Sequence, residues 1–220
     1  MPDRRGQGAA RRGEGAARRG EGAARRGPTG PRCAPAGIVL TPGAGSGRDH
    51  PALVAIEEAL APRGITTRRV DFPYRLAGRR APDRPAVLVA AVREAAAELA
   101  ASLGVGTEQI ALGGRSMGGR MCSVAVAEGL PAAALVLISY PLHPPGRPDR
   151  LRTEHFGELR VPCLFVSGTR DAFGSPAKIE RAAAAIPGPV THVWLEGGDH
   201  ALKRRDAEVA AVVAAWLAGP

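Results

Sequence analysis

A single α/β domain on a mostly parallel sheet of about six strands, with helices on both faces and a low-complexity tail in front, is the fold class the sequence predicts. Three observations lead there. From Ala36 onward, short apolar runs alternate with Ala-rich segments of helical spacing. The apolar runs are nearly continuous, which marks strands covered on both faces, and such strands pair in parallel. The length of 220 residues suits one domain with a sizeable core.

The elements follow in order. GIVLTP (37–42) reads as a strand, and residues 50–64 as a helix closed by Pro62 and Gly64. ITTRRVDFP (65–73) is a weaker, partly exposed strand. Residues 83–103 form a long helix, with Val87, Leu88, Val92, Ala95 and Leu99 near helical spacing. EQIALGG (108–114) is a third strand, followed by a helix over 117–128. AALVLISYP (133–141) and VPCLFVSG (161–168) are short buried strands. A helix over 175–186, a strand over 191–197 and a helix over 202–218 complete the series.

The domain begins at residue 36; residues 1–35 read as a disordered tail. Residues 4–27 repeat RRGQGAA, RRGEGAA, RRGEGAA, RRG. The period of seven lacks the apolar a and d positions of a coiled coil, and two glycines per unit disfavour helix. No apolar segment follows the arginines, so it is not a secretory signal. Residues 1–32 hold nine arginines against Asp3, Glu14 and Glu21, which accounts for +6 of the chain's net +9. The remainder is ordinary in charge, so a nucleic-acid protein is not indicated. The tail is either an inert extension or a weak RNA or membrane-surface tether, and salt-sensitive binding separates the two.

No apolar run approaches a bilayer span. Cys33, Cys122 and Cys163 are scattered without a CxxC, which argues against a disulfide scaffold or a zinc ribbon and fits a reduced, cytoplasmic setting. Cys122 and Cys163 sit in apolar segments and read as core residues. His50, His143 and His155 lack metal-ligand spacing, and neither metal nor cofactor is expected. The loop GAGSGR lacks the last glycine of a dinucleotide fingerprint, and no GK[ST] occurs.

The chemistry concentrates after the third strand. Gly114–Arg115–Ser116–Met117–Gly118 is a G-x-S-x-G turn between a strand and a helix. A nucleophile on so sharp a turn needs glycines two residues to either side, because side chains there collide. The helix N-terminus behind it favours developing negative charge. A serine needs a base, and the base an orienting acid. Asp171 falls just past the strand VPCLFVSG and His200 just past THVWLEG, both at carboxyl ends of strands, where open sheets place their sites. Asp199 is a competitor for the acid role, but adjacent residues rarely face one another. An oxyanion hole needs two backbone N–H donors; Met117 supplies one, and the loop 41–51 the other through Ala44.

From about Gly37 to Leu217 the chain resembles an α/β-hydrolase, and more narrowly the small cap-less branch related to dienelactone hydrolases. The resemblance rests on PGAGSGRDHP, ALGGRSMGGRM, YPLHPPGRPDRLRTEHF, FVSGTRDAFG and LEGGDHALK. It implies Ser116, Asp171 and His200 as nucleophile, acid and base. Many relatives begin the oxyanion loop HGAG; here Pro42 stands in place of that histidine. The branch includes eukaryotic relatives that serve as interaction subunits of a histone-acetyltransferase complex, so the resemblance speaks more firmly for fold than for catalysis.

The expected activity is cleavage of an ester or other small acyl compound through an acyl-enzyme, with a small acyl substrate as partner. The alternative is a non-catalytic interaction module on the same fold. Without a cap the pocket is expected to be shallow and open, and residues 143–160 to carry specificity. Gly43, Arg115 and His143 are candidate substrate contacts. Arg115, Arg120, His143, Arg152 and His155 either favour an anionic substrate or are solvated loop charges. Oligomeric state is left open.

Overall fold

The computed structural model describes residues 30, 31 and 33–219; the Arg-Gly-Ala repeat and its tether reading lie outside them. The elements are β1 (Gly37–Thr41), α1 (Pro51–Leu60), β2 (Thr66–Arg69), α2 (Pro73–Leu76), α3 (Pro85–Leu103), β3 (Ile110–Arg115), α4 (Met117–Ala127), β4 (Leu135–Ile138), β5 (Cys163–Gly168), α5 (Pro176–Ala183), β6 (Val190–Leu195) and α6 (Asp206–Ala218). All six strands lie in one sheet, ordered β2-β1-β3-β4-β5-β6, and every pair is parallel. The chain runs from β1 outward to β2 and returns to β3 on the other side of β1. The loops after β1 and β3 therefore diverge, and this is the switch point at which open sheets place ligands.

Strand residues divide between the two faces with a period of two. Ile38, Leu40, Val136, Ile138, Leu164 and Val166 pack under α1 and α6, against Leu53, Ile56, Leu60, Val209, Val213 and Leu217. Val39, Leu112, Leu135, Leu137 and Phe165 face α3, α4 and α5, against Val92, Leu99, Met121, Ala125 and Ile179. Each such large side chain contributes roughly 2 kcal/mol through apolar area removed from water. Both sheet faces are covered, which is why the strands read as unbroken apolar runs.

Boundaries follow local chemistry. The ring Nδ1 of His50 accepts the Ala52 N–H at 3.2 Å and Pro51 opens α1. Gly104, at φ 66°, closes α3 in the left-handed conformation. The chain's two tryptophans both belong to its last strand and helix. Trp194 of β6 donates to Glu180, and Trp216 of α6 donates to Thr191, each at 3.1 Å. Among the described residues no helix is long and apolar enough to cross a membrane.

Three expectations are corrected. The sequence places a helix from 202, but α6 begins at Asp206, because Leu202 and Arg204 take positive φ and Leu202 turns into the core as a loop residue. The strand expected over 133–141 ends at Ile138, where Ser139 adopts φ 48°. Residues 65–73 hold only the short β2, and Pro73 opens α2.

Candidate active site

The end of β3 and the start of α4 meet in a single-residue turn. Ser116 sits between them at φ 51°, ψ −114°. That backbone conformation is strained by about 1–3 kcal/mol for a residue with a side chain. The surroundings hold it there: the Ser116 N–H donates to the Ile138 carbonyl at 2.8 Å, and the Ser116 carbonyl accepts the Arg120 N–H at 3.1 Å. A Cβ on Gly114 would collide with the Thr41 side chain and stand 2.5 Å from its carbonyl oxygen. One on Gly118 would lie 2.5 Å from Thr41 Oγ1 and 2.6 Å from the Pro42 carbonyl. The elbow is thus pressed against the end of β1, and the glycines are dictated by contact. Gly118→Ala is expected to destabilise the fold by about 3 kcal/mol or more, read as a lowered urea midpoint.

The later strands bring two further side chains to this turn. His200, in the loop between β6 and α6, places Nε2 at 2.9 Å from Ser116 Oγ. Its Nδ1 lies 2.8 Å from Oδ2 and 3.0 Å from Oδ1 of Asp171, in the loop after β5. Asp171 is 4% exposed and its Oδ1 also accepts the Phe173 N–H at 2.8 Å. A carboxylate only accepts, so Nδ1 carries the proton and Nε2 presents its lone pair to the serine hydroxyl. The competitor Asp199 does not reach the imidazole. Its Oδ1 accepts the N–H groups of Ala201 and Leu202, each at 3.0 Å, and shapes the loop that carries His200.

Three neighbours fix the histidine loop. Arg115 donates from Nη2 to the His200 carbonyl at 2.8 Å. The Phe173 ring lies with its centroid 4.4 Å from the imidazole. Gly168 and Gly198 touch so closely that a Cβ on Gly168 would overlap the Gly198 backbone, which brings the loops after β5 and β6 together. Burial lowers the Arg115 pKa, against the pull of Asp171, Asp199 and Asp206.

Met117 is the first residue of α4, so helix geometry leaves its N–H without an intrahelical acceptor. Ala44 lies in the loop after β1 and lines both cavities that include Ser116. The Tyr74 hydroxyl donates to the Ala44 carbonyl at 2.8 Å, which turns that carbonyl away toward α2.

Two cavities meet at Ser116 and His200. One, of about 390 Å³, has a largely apolar wall that includes Leu88, Met117, Met121 and Phe173, together with Arg120 and Arg152. Its volume lies within the roughly 300–1,000 Å³ of small-molecule sites. The other, of about 730 Å³, includes Gly43, His50, Arg115, Lys203 and Arg204. A groove of about 610 Å³ along β2 is remote from the serine, and its Arg69, Asp49 and Glu57 are engaged with one another.

The sequence model of the family described as alpha/beta hydrolase domain matches residues 34–215. The chain belongs to the α/β-hydrolase family. Solved structures of similar fold include an alpha-beta serine hydrolase homologue from Coxiella burnetii, at 18% identity and TM-score 0.68, covering 84% of this chain and 88% of that one. A dienelactone hydrolase from Anabaena variabilis matches at 22% identity and TM-score 0.66, covering 84% and 87%. Est1E from Butyrivibrio proteoclasticus matches at 17% identity and TM-score 0.66, with the same coverage.

This α/β-hydrolase places the remaining sequence candidates as follows. Gly43 and Arg115 border the second cavity. His143 is buried behind Phe173, with ring centroids 5.8 Å apart, donates Nδ1–H to the Pro144 carbonyl at 2.9 Å, and lines neither cavity. His155 bonds through Nε2 to Ser123 Oγ at 2.8 Å. The Ser123 hydroxyl donates to the Arg120 carbonyl, also at 2.8 Å, so its proton is already committed. Burial first, then the charge of Arg120, pushes the His155 pKa down to about 4. The pair is a neutral clasp between α4 and the loop after β4. Burial raises the thiols of Cys122 and Cys163 to about 12, which keeps them protonated. Among the described residues no group of three or more His, Cys, Asp or Glu is placed to hold a metal ion. Sequence reasoning missed Phe173 as the lid over the imidazole and Arg115 as the tie to the His200 carbonyl. Neither contact has a local signal, because each joins segments that only the sheet brings together.

Proposed function

We propose that this α/β-hydrolase is a serine hydrolase that cleaves an ester or another small acyl compound through an acyl-enzyme. The observation that carries the reading is the relay from Ser116 Oγ to His200 Nε2 and from His200 Nδ1 to Asp171, standing at the head of a cavity. His200 takes the hydroxyl proton as Oγ attacks the acyl carbon, and the carbonyl oxygen becomes an oxyanion. The N–H groups of Met117 and Ala44 receive that charge, aided by the N-terminus of α4. His200 returns the proton to the leaving alcohol. It then removes one from the water that attacks the acyl-enzyme and passes it to Ser116 Oγ as the acid departs, and Asp171 holds the imidazolium formed at each stage.

The test is fluorophosphonate labelling of the folded protein followed by mapping of the modified residue. A phosphonylated Ser116 supports the reading. A folded sample that stays unlabelled, or is labelled elsewhere, overturns it and favours the non-catalytic interaction module.

A further inference from the structure

We propose that the acyl substrate carries an anionic oxygen group, a carboxylate or phosphate-like group, held by Arg120 and Arg152 inside the cavity beside Ser116. This rests on the reading of Ser116 as nucleophile. The first observation is that both arginines line that cavity. Arg120 stands one helical turn after Ser116, so its side chain rises from the same face of α4 as the serine.

The second observation is the absence of an internal partner. Arg48, Arg68, Arg69, Arg79, Arg93 and Arg205 each pair with a carboxylate. Neither the Arg120 nor the Arg152 guanidinium makes an ion pair or side-chain hydrogen bond among the described residues, and Nε of Arg120 is buried with no acceptor. A buried donor of this kind carries a desolvation penalty that a bound acceptor relieves.

The third observation is the charge around the pair. Burial, followed by repulsion from Arg120, lowers the Arg152 pKa. His155, also close to Arg120, is neutral and adds no compensation. The one acid in the cavity wall, Asp83, pairs with Arg79 at 2.7 Å through Oδ1 and keeps a buried Oδ2 without a hydrogen-bond partner among the described residues. The segments 77–85 and 141–155, which supply part of the cavity wall, are basic too: Arg79, Arg80, Arg84, Arg147 and Arg150 stand against Asp83, Asp149 and Glu154. Two unneutralised guanidinium groups over an apolar floor match a ligand with an acyl chain at one end and an anionic fork at the other. Basic segments of this kind speed the approach of such a ligand.

The experiment compares kcat/KM for 4-nitrophenyl hydrogen glutarate with that for its neutral terminal methyl ester. A 3-phosphonopropionate ester serves as the phosphate-like arm. The free carboxylate or the phosphonate is expected to be preferred by about tenfold or more, and the faster of the two names the group. Arg120→Gln and Arg152→Gln, checked for folding by thermal denaturation, are expected to bring that ratio toward one. Equal use of charged and neutral esters by a protein whose Ser116 takes fluorophosphonate overturns the proposal and leaves the hydrolase reading standing. A preference that survives both substitutions also overturns it. Should none of the esters turn over, calorimetric binding of glutarate monomethyl ester decides. Arginine-dependent binding then supports the anion site even where Ser116 stays unlabelled, and no binding overturns it.

Discussion

Ser116→Ala is expected to lower kcat on any ester the protein hydrolyses by roughly five to six orders of magnitude. The other hydroxyl lining these cavities, that of Ser46, donates to the Gly43 carbonyl at 3.4 Å and has no histidine bonded to it among the described residues. Ser123, the next serine of α4, is fully buried and gives its proton to the Arg120 carbonyl, and both buried cysteines stay protonated. The same variant should keep its melting temperature to within a few degrees. Alanine retains the Cβ, and the substitution removes one side-chain hydrogen bond, to His200 at 2.9 Å, a net of about 1 kcal/mol. Collapse of turnover with an intact thermal transition separates a chemical role from a structural one. Steady-state kinetics beside a thermal melt provides both readings.

Asp171→Asn is expected to lower kcat by about four orders of magnitude with little change in fold. Oδ1 of Asp171 accepts the rigid Phe173 N–H at 2.8 Å, and the carboxylate also accepts from His200 Nδ1. Asparagine has one acceptor oxygen and one donor amide. If the oxygen stays on the Phe173 N–H, the amide faces Nδ1 and forces that nitrogen to accept. The ring proton then moves to Nε2, where it faces Ser116 as a donor and cannot take the hydroxyl proton. Asp199→Asn is the control. Its side chain only caps the N–H groups of Ala201 and Leu202, a role asparagine fills equally well, so kcat is expected to change by less than about threefold. A large loss in Asp199→Asn beside a small one in Asp171→Asn would reverse the assignment of the acid.

The parts of the site legible in the sequence are those dictated by local geometry. Glycines two residues either side of Ser116 announce the elbow because Thr41 and Pro42 leave no room for a side chain. Asp171 and His200 are legible because both follow apolar strands, and a parallel sheet gathers strand ends on one side. What escapes is long-range or irregular. The bond from Arg115 to the His200 carbonyl spans 85 residues of sequence. Leu202 reads as part of a helical pattern, yet it is buried from a loop at positive φ. Apolar periodicity records burial, and here burial arises without a helix. The run 133–141 misleads in the same way. After β4 ends, Tyr140 remains buried, with its hydroxyl on the Arg152 carbonyl at 2.7 Å.

The placement of both tryptophans on either side of the loop that carries His200 gives the protein an internal optical reporter. Trp194 belongs to the strand that enters that loop and Trp216 to the helix that leaves it, and each indole N–H is engaged by a side chain at 3.1 Å. Tryptophan emission, excited selectively over that of Tyr74 and Tyr140, therefore comes from the two elements flanking the loop that presents the imidazole, and none of it from the elbow. A red shift on titration with denaturant follows release of the histidine arm, while far-ultraviolet circular dichroism follows the sheet and helices as a whole. Coincidence of the two curves means that the His200 loop is lost together with the rest of the fold. An earlier fluorescence transition means that the His200 loop is released before the protein unfolds.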